Sequence, residues 1–140
     1  MAYPVFNTPE IQYPTKKQIV IPLAQAVLNA GAQQTLVSSL ITFPFRIVQV
    51  KMFFSFTTQS LVRYYWLVSS SNDISNAGLP SGDNPFSGFG TLPYFVGEGI
   101  MRKEPCAYED NVGKKYVKLH VQNNSPIAQP INASVVVQEL

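Results

Sequence analysis

The sequence predicts an all-β protein: a single antiparallel β-sandwich of about seven to eight strands, preceded by an extended, Pro-rich N-terminal arm. Three observations carry this. Apolar and polar residues alternate with a period of two in several runs, as in strands with one buried face. Clusters of Gly, Pro, Asn and Ser separate those runs. No segment sustains helical periodicity, because the one candidate, residues 23–36, is cut by Asn29 and Gly31.

Residues 1–17 read as the arm. Tyr-Pro occurs at Tyr3-Pro4 and again at Tyr13-Pro14. Proline fixes φ and pushes its predecessor towards extended backbone. Tyr3, Val5, Phe6, Ile11 and Tyr13 gain from burial, so the arm is expected to lie on its own domain or a neighbour. Residues 18–140 read as the sandwich. A mixed stretch at 18–28 carries Pro22, an edge signal. A turn at 29–32 leads to a short strand at 34–41. In residues 46–56, Val48, Val50, Met52, Phe54 and Phe56 alternate with Gln49, Lys51, Phe53 and Ser55. After the polar connector 57–60, Val62, Tyr64, Trp66 and Val68 share one face, with Leu61, Arg63, Tyr65 and Leu67 on the other. These two runs are expected to pair as a hairpin.

Residues 69–93 form a long Ser/Gly/Asn/Asp/Pro loop, a length usually functional or interfacial. Strand character returns at 94–101. In residues 115–122, Val117, Leu119 and Val121 are expected inside, and Tyr116, Lys118 and His120 outside. A turn at Asn123-Asn124-Ser125-Pro126 precedes the closing strand at 131–140. Short strands of this number and spacing fit a jelly-roll or Ig-like sandwich.

Composition removes several classes. Of 140 residues, 46% are hydrophobic and only 13% charged, about half the usual charge. That apolar content argues against disorder. One Cys and one His leave neither an intrachain disulfide nor a typical zinc ligand set. No apolar run is long enough for a membrane-spanning helix. Prolines 4, 9 and 14 interrupt any signal-peptide core, so synthesis without Sec export is expected. The net charge is +2, and the basic pairs Lys16-Lys17, Arg102-Lys103 and Lys114-Lys115 are scattered, unlike a phosphate-binding stripe. Neither nucleic acid nor a membrane is expected as a partner.

Catalytic signals are sparse. Cys106 sits in a loop-like stretch and His120 on a strand, and nothing brings them together as a dyad. No nucleophile elbow, zincin helix or phosphate loop is present, and Gly88-Phe89-Gly90 lacks the rest of a glycine motif. The eight acids give no special support to a carboxylate pair. Asp73 and Asp83 with Asn72, Asn76 and Asn84 lack calcium-loop spacing, and Asp and Asn are default turn formers. No enzyme activity, cofactor or metal is expected.

The positive signal is aromatic: nine Phe, seven Tyr and one Trp, several on both faces of one strand. A sandwich has one internal face per sheet, so the arm, the long loop or another subunit must cover the remainder, and contact between subunits is the favoured expectation.

The run Thr42-Phe43-Pro44-Phe45-Arg46-Ile47 before a long aromatic strand, the hairpin Arg63–Val68, and Asn123-Asn124-Ser125-Pro126 before a Val-rich strand resemble small β-sandwich virion structural proteins. These are decoration, cement and minor capsid proteins of tailed phages and other viruses. The resemblance spans roughly residues 18–140 and rests on no diagnostic motif. It implies a non-enzymatic subunit made in the host cytoplasm, located in the virion, and partnered by copies of itself and other virion proteins. Its assembly residues would be the arm's Tyr3, Val5, Phe6, Ile11 and Tyr13. The long loop, through Asp83, Asn84, Phe86, Phe89 and Tyr94, would form an interface. Alternatively, those loop residues would bind a ligand, as in a lectin-like module that stacks on and hydrogen-bonds a sugar.

Overall fold

A computed structural model describes residues 17–23, 26–74, 79–86 and 94–140. Tyr3, Val5, Phe6, Ile11, Tyr13 and Phe89 lie outside the described residues. Among those described there is no helix. Ten strands follow in chain order: β1 (Gln18–Pro22), β2 (Ala26–Leu28), β3 (Gln33–Val37), β4 (Phe45–Phe54), β5 (Val62–Ser69), β6 (Ile100–Pro105), β7 (Glu109–Asp110), β8 (Tyr116–Asn123), β9 (Gln129–Ile131) and β10 (Ala133–Glu139). Seven have five residues or more, in line with the expected count.

The strands form two main antiparallel sheets packed face to face. The larger runs β1-β10-β4-β6, with β7 beside the start of β4, and the smaller runs β3-β8-β5. The β2–β9 pair continues the larger sheet's β1–β10 line, with the Leu23 N–H on the Ala133 carbonyl at the junction. Phe45, Ile47, Val50, Met52 and Phe54 of the larger sheet share one core with Tyr64, Trp66, Val117, Leu119 and Val121 of the smaller. Across it, the Phe54 and Tyr64 rings lie 4.7 Å apart, and the Trp66 indole N–H donates to Met52 Sδ at 3.2 Å. The Tyr64 hydroxyl donates to the Phe53 carbonyl at 2.9 Å, giving the buried phenol a partner.

These contacts correct the expected hairpin: β4 and β5 belong to opposite sheets. The connector carries the chain across the sandwich rather than back along β4. Gln59 and Ser60 both adopt positive φ there, and buried Thr58 donates to the carbonyls of Ser55 and Gly97. The period along β4 is also not uniform. The β10–β4 register jumps between Val136↔Gln49 and Val137↔Ile47, leaving Val48 as an extra residue. This bulge switches the buried face from Phe45 and Ile47 to Val50, Met52 and Phe54. Val48 is therefore half-buried, and Phe56 lies beyond the strand and is exposed.

Two further expectations change. The strand sought at 94–101 begins at Ile100, after Gly97 and Gly99, and only Phe95 bridges to Tyr64. In β8, Lys118 and His120 are fully buried, because β8 is the central strand and both its faces are covered. The turn after β8 follows its sequence. The Asn123 amide donates to the carbonyls of Leu28 and Ile127, both at 2.9 Å, and its oxygen accepts from the Ser125 N–H and hydroxyl.

Candidate interaction surface

The outer faces of the two sheets differ in what covers them. On the smaller sheet, β5's second face was expected to be covered by the arm, the long loop or another subunit, with another subunit favoured. Tyr65 and Leu67 on that face are instead buried, and the chain's own long loop takes part in covering them. Asp83 and Val68 exchange two backbone hydrogen bonds at 2.8 Å, pairing the loop with β5's free edge. Gly82 sits so close that a Cβ there would lie 3.0 Å from the Val68 carbonyl oxygen. Tyr94 packs 5.3 Å from Tyr65, and the Arg63 guanidinium lies 4.8 Å over the Tyr94 ring.

Beneath this cover the polar groups are matched. His120 Nδ1 bonds Thr35 Oγ1 at 2.8 Å and Nε2 bonds Gln33 Oε1 at 2.9 Å. Burial holds the imidazole below its ordinary pKa. The Lys118 ammonium donates to the Asp73 carbonyl at 2.8 Å; burial also lowers its pKa, opposed by the Asp73 charge. Cys106 is buried with its thiol 3.6 Å from the Pro85 carbonyl, while both His120 nitrogens are engaged elsewhere.

The expected loop residues separate into different roles. Phe86 is buried in the core, edge-on to Phe95 at 4.9 Å. Asn84 Oδ1 accepts from the Phe86 N–H at 2.8 Å, closing a turn. Asp83 contributes its backbone to the sheet edge and leaves its side chain exposed. Tyr94 lies between Arg63 and Tyr65.

The larger sheet has the opposite character. Val50, Met52, Ala133 and Val135 point inward, so Lys51, Phe53, Ser134 and Val136 point out, Lys51, Phe53 and Ser134 half-buried and Val136 buried. Strand register places Lys51 between Ser134 and Lys103, Phe53 beside Met101, and Val20 beside Val136. Two adjoining depressions result. One, of about 370 Å³, is lined by Ala26, Val27, Phe53, Pro130, Ile131 and Asn132. The other, of about 240 Å³, is lined by Lys51, Met101, Lys103, Asn132, Ala133 and Ser134. Val27 is 71% exposed, Val20 56% and Met101 48%.

The ion pairs found among the described residues are Arg46–Glu109 and Arg102–Glu104. Neither Lys51 nor Lys103 has a hydrogen-bond or ion-pair partner among those residues. Like charges directly opposed on neighbouring strands repel. Among the described residues the sheet ends in strands β1 and β6, each paired on one side. Sequence reading missed this site. Lys51 and Lys103 are far apart in the chain, and only the β4–β6 register apposes them.

In comparison with known proteins, the chain matches no family model, no curated protein and no solved structure.

Proposed function

We propose that this protein is a non-enzymatic structural subunit of a virus particle, of the decoration, cement or minor capsid kind. It assembles through its N-terminal arm and the outer face and edges of its larger sheet. Its partners are copies of itself and other virion proteins, and it is made in the host cytoplasm and resides in the virion. The supporting observation is the larger sheet's outer face, where Val20, Val27 and Met101 stand exposed and where, among the described residues, β1 and β6 are each paired on one side only. The low charge and the resemblance of residues 18–140 to virion sandwiches support the same reading. The lectin-like alternative draws less support, because Phe86, Asn84 and Tyr94 have structural partners.

Light scattering of the purified chain over a concentration series tests this. Concentration-dependent growth in mass, lost when residues 1–17 are removed while Trp66 emission stays native, is the expected result. A monomer at every concentration, with or without the arm, overturns it. Binding on a glycan array by such a monomer would favour the lectin-like alternative.

A further inference from the structure

We propose that the outer face of the larger sheet holds a binding site for a small amphiphilic anion, with Lys51 and Lys103 taking its carboxylate or phosphate group and the depression beside Phe53 taking its apolar body. The site goes beyond the assembly reading and does not depend on it.

Charge supplies the first argument. Lys51 and Lys103 are partners across β4 and β6, and both line the smaller depression together with Asn132 and Ser134. Directly opposed residues have Cβ atoms about 5 Å apart, so two flexible ammonium groups reach one oxyanion. Among the described residues no acid lines either depression. Glu104, next along β6, alternates to the other face of the strand and is bonded by the Arg102 guanidinium. The two lysines repel each other at this spacing, and a bound anion relieves that repulsion.

Shape supplies the second argument. The larger depression shares Asn132 with the smaller and presents Val27, Phe53 and Pro130. Phe53 lies two residues from Lys51 on the same face of β4, about 7 Å at strand rise. An oxyanion at the lysines therefore lays an attached ring or short chain over Phe53 towards Val27. The recess is bounded, because Val136, two residues beyond Ser134 on this face, is 6% exposed. What is open is thus a recess at the Asn132 end, of about 240 Å³ on the lysine side and 370 Å³ on the apolar side. Small-molecule sites ordinarily occupy about 300–1,000 Å³ and combine apolar walls with a few polar groups that fix orientation.

The test titrates the full chain with phenyl phosphate, phenylacetate, inorganic phosphate and benzyl alcohol, followed by NMR amide shifts. The first two are expected to shift amides around Lys51, Phe53, Lys103 and Asn132. Each is expected to bind about tenfold more tightly than inorganic phosphate, because the ring leaves water against Phe53 and Val27. Lys51→Gln/Lys103→Gln is expected to weaken both about tenfold or more, to remove their salt dependence, and to leave benzyl alcohol unchanged. Val27→Ser, at a position 71% exposed, is expected to narrow the gap between phenyl phosphate and inorganic phosphate. Native emission from Trp66, 1% exposed, establishes that each variant is folded.

Tighter binding of phenyl phosphate would assign the site to phosphate esters, and tighter binding of phenylacetate to carboxylic acids; either supports it. Equal affinities in the wild type and the double lysine variant would overturn it. So would phenyl phosphate binding no more tightly than inorganic phosphate, which would leave only two surface lysines that attract anions. Shifts confined to other surfaces would overturn it as well. None of these outcomes moves the light-scattering result that decides assembly.

Discussion

The outer faces of the two sheets carry similar mixtures of aromatic, apolar and basic residues, yet their physical states are opposite. On the smaller sheet, Lys118, His120 and Arg63 meet the Asp73 carbonyl, the Thr35–Gln33 pair and the Tyr94 ring. On the larger sheet, Lys51 and Lys103 meet each other. Strand chemistry alone does not separate the faces. The long loop does, by pairing with β5 at Asp83 and laying Gly82 and Tyr94 over the small sheet. A polar residue under such a cover must be matched internally, because an unmatched buried group costs about 1–3 kcal/mol. A polar residue on an open face carries no such requirement and remains available to a partner.

The largest expected effect follows from the covered side. His120→Ala truncates a fully buried ring and removes one hydrogen bond each from Gln33 Oε1 and Thr35 Oγ1. A destabilisation of about 3 kcal/mol is expected in urea unfolding. A change below 1 kcal/mol would mean that the face is not sealed.

Next in size is the cover itself. Gly82 has φ 149°, with the Val68 carbonyl oxygen and Leu67 Cβ within 3.2 Å of a would-be Cβ. Gly82→Ala is expected to cost about 1–2 kcal/mol and to speed proteolysis of the loop. Native resistance to protease would break the link between the loop and the buried state of the small sheet.

The same burial gives a pH signature. The folded pKa of His120 lies below its unfolded value near 6.5, so the folded state holds fewer protons in that window. Its contribution to stability is complete above the unfolded pKa. That contribution declines as pH falls from about 6.5 through the folded pKa, by at most about 1.4 kcal/mol per pH unit. Lys118 works in the same direction at higher pH, its folded pKa being lowered, so its contribution grows as pH rises towards the unfolded value. His120→Gln should flatten the difference between pH 7 and pH 5 in urea midpoints. An identical slope in wild type and variant would assign the acid sensitivity elsewhere.

Much of the fold was legible because period-two patterning is a local property. The runs that became β4, β5, β8 and β10 follow from alternation among neighbours, and the Asn123 turn follows from its own side-chain bonds. What was not legible is relational. Sheet membership of β4 and β5 depends on how the seven residues between them turn, and the burial of His120 depends on what lies over β8. The Lys51–Lys103 apposition depends on a register set elsewhere, so neither residue stands out in its own segment. Residues 1–16 of the arm, which patterning marked as a docking segment, lie outside the described residues.

The smallest expected effect on the fold sharpens the contrast most. Met101 is 48% exposed on edge strand β6, beside Phe53. Met101→Ser removes little buried apolar area from the isolated domain, so stability should stay within about 0.5 kcal/mol of wild type. The exposed half of that side chain is what a docking partner would cover. Full burial of a large apolar side chain contributes about 1.5–3 kcal/mol, so covering the remaining half contributes about 1 kcal/mol. Association should therefore weaken by about fivefold while unfolding is unchanged, the reverse of His120→Ala, where the fold bears the cost. Equal unfolding losses in the two variants would mean that the larger sheet's face is covered within the monomer, and the distinction between a sealed face and an open one would collapse.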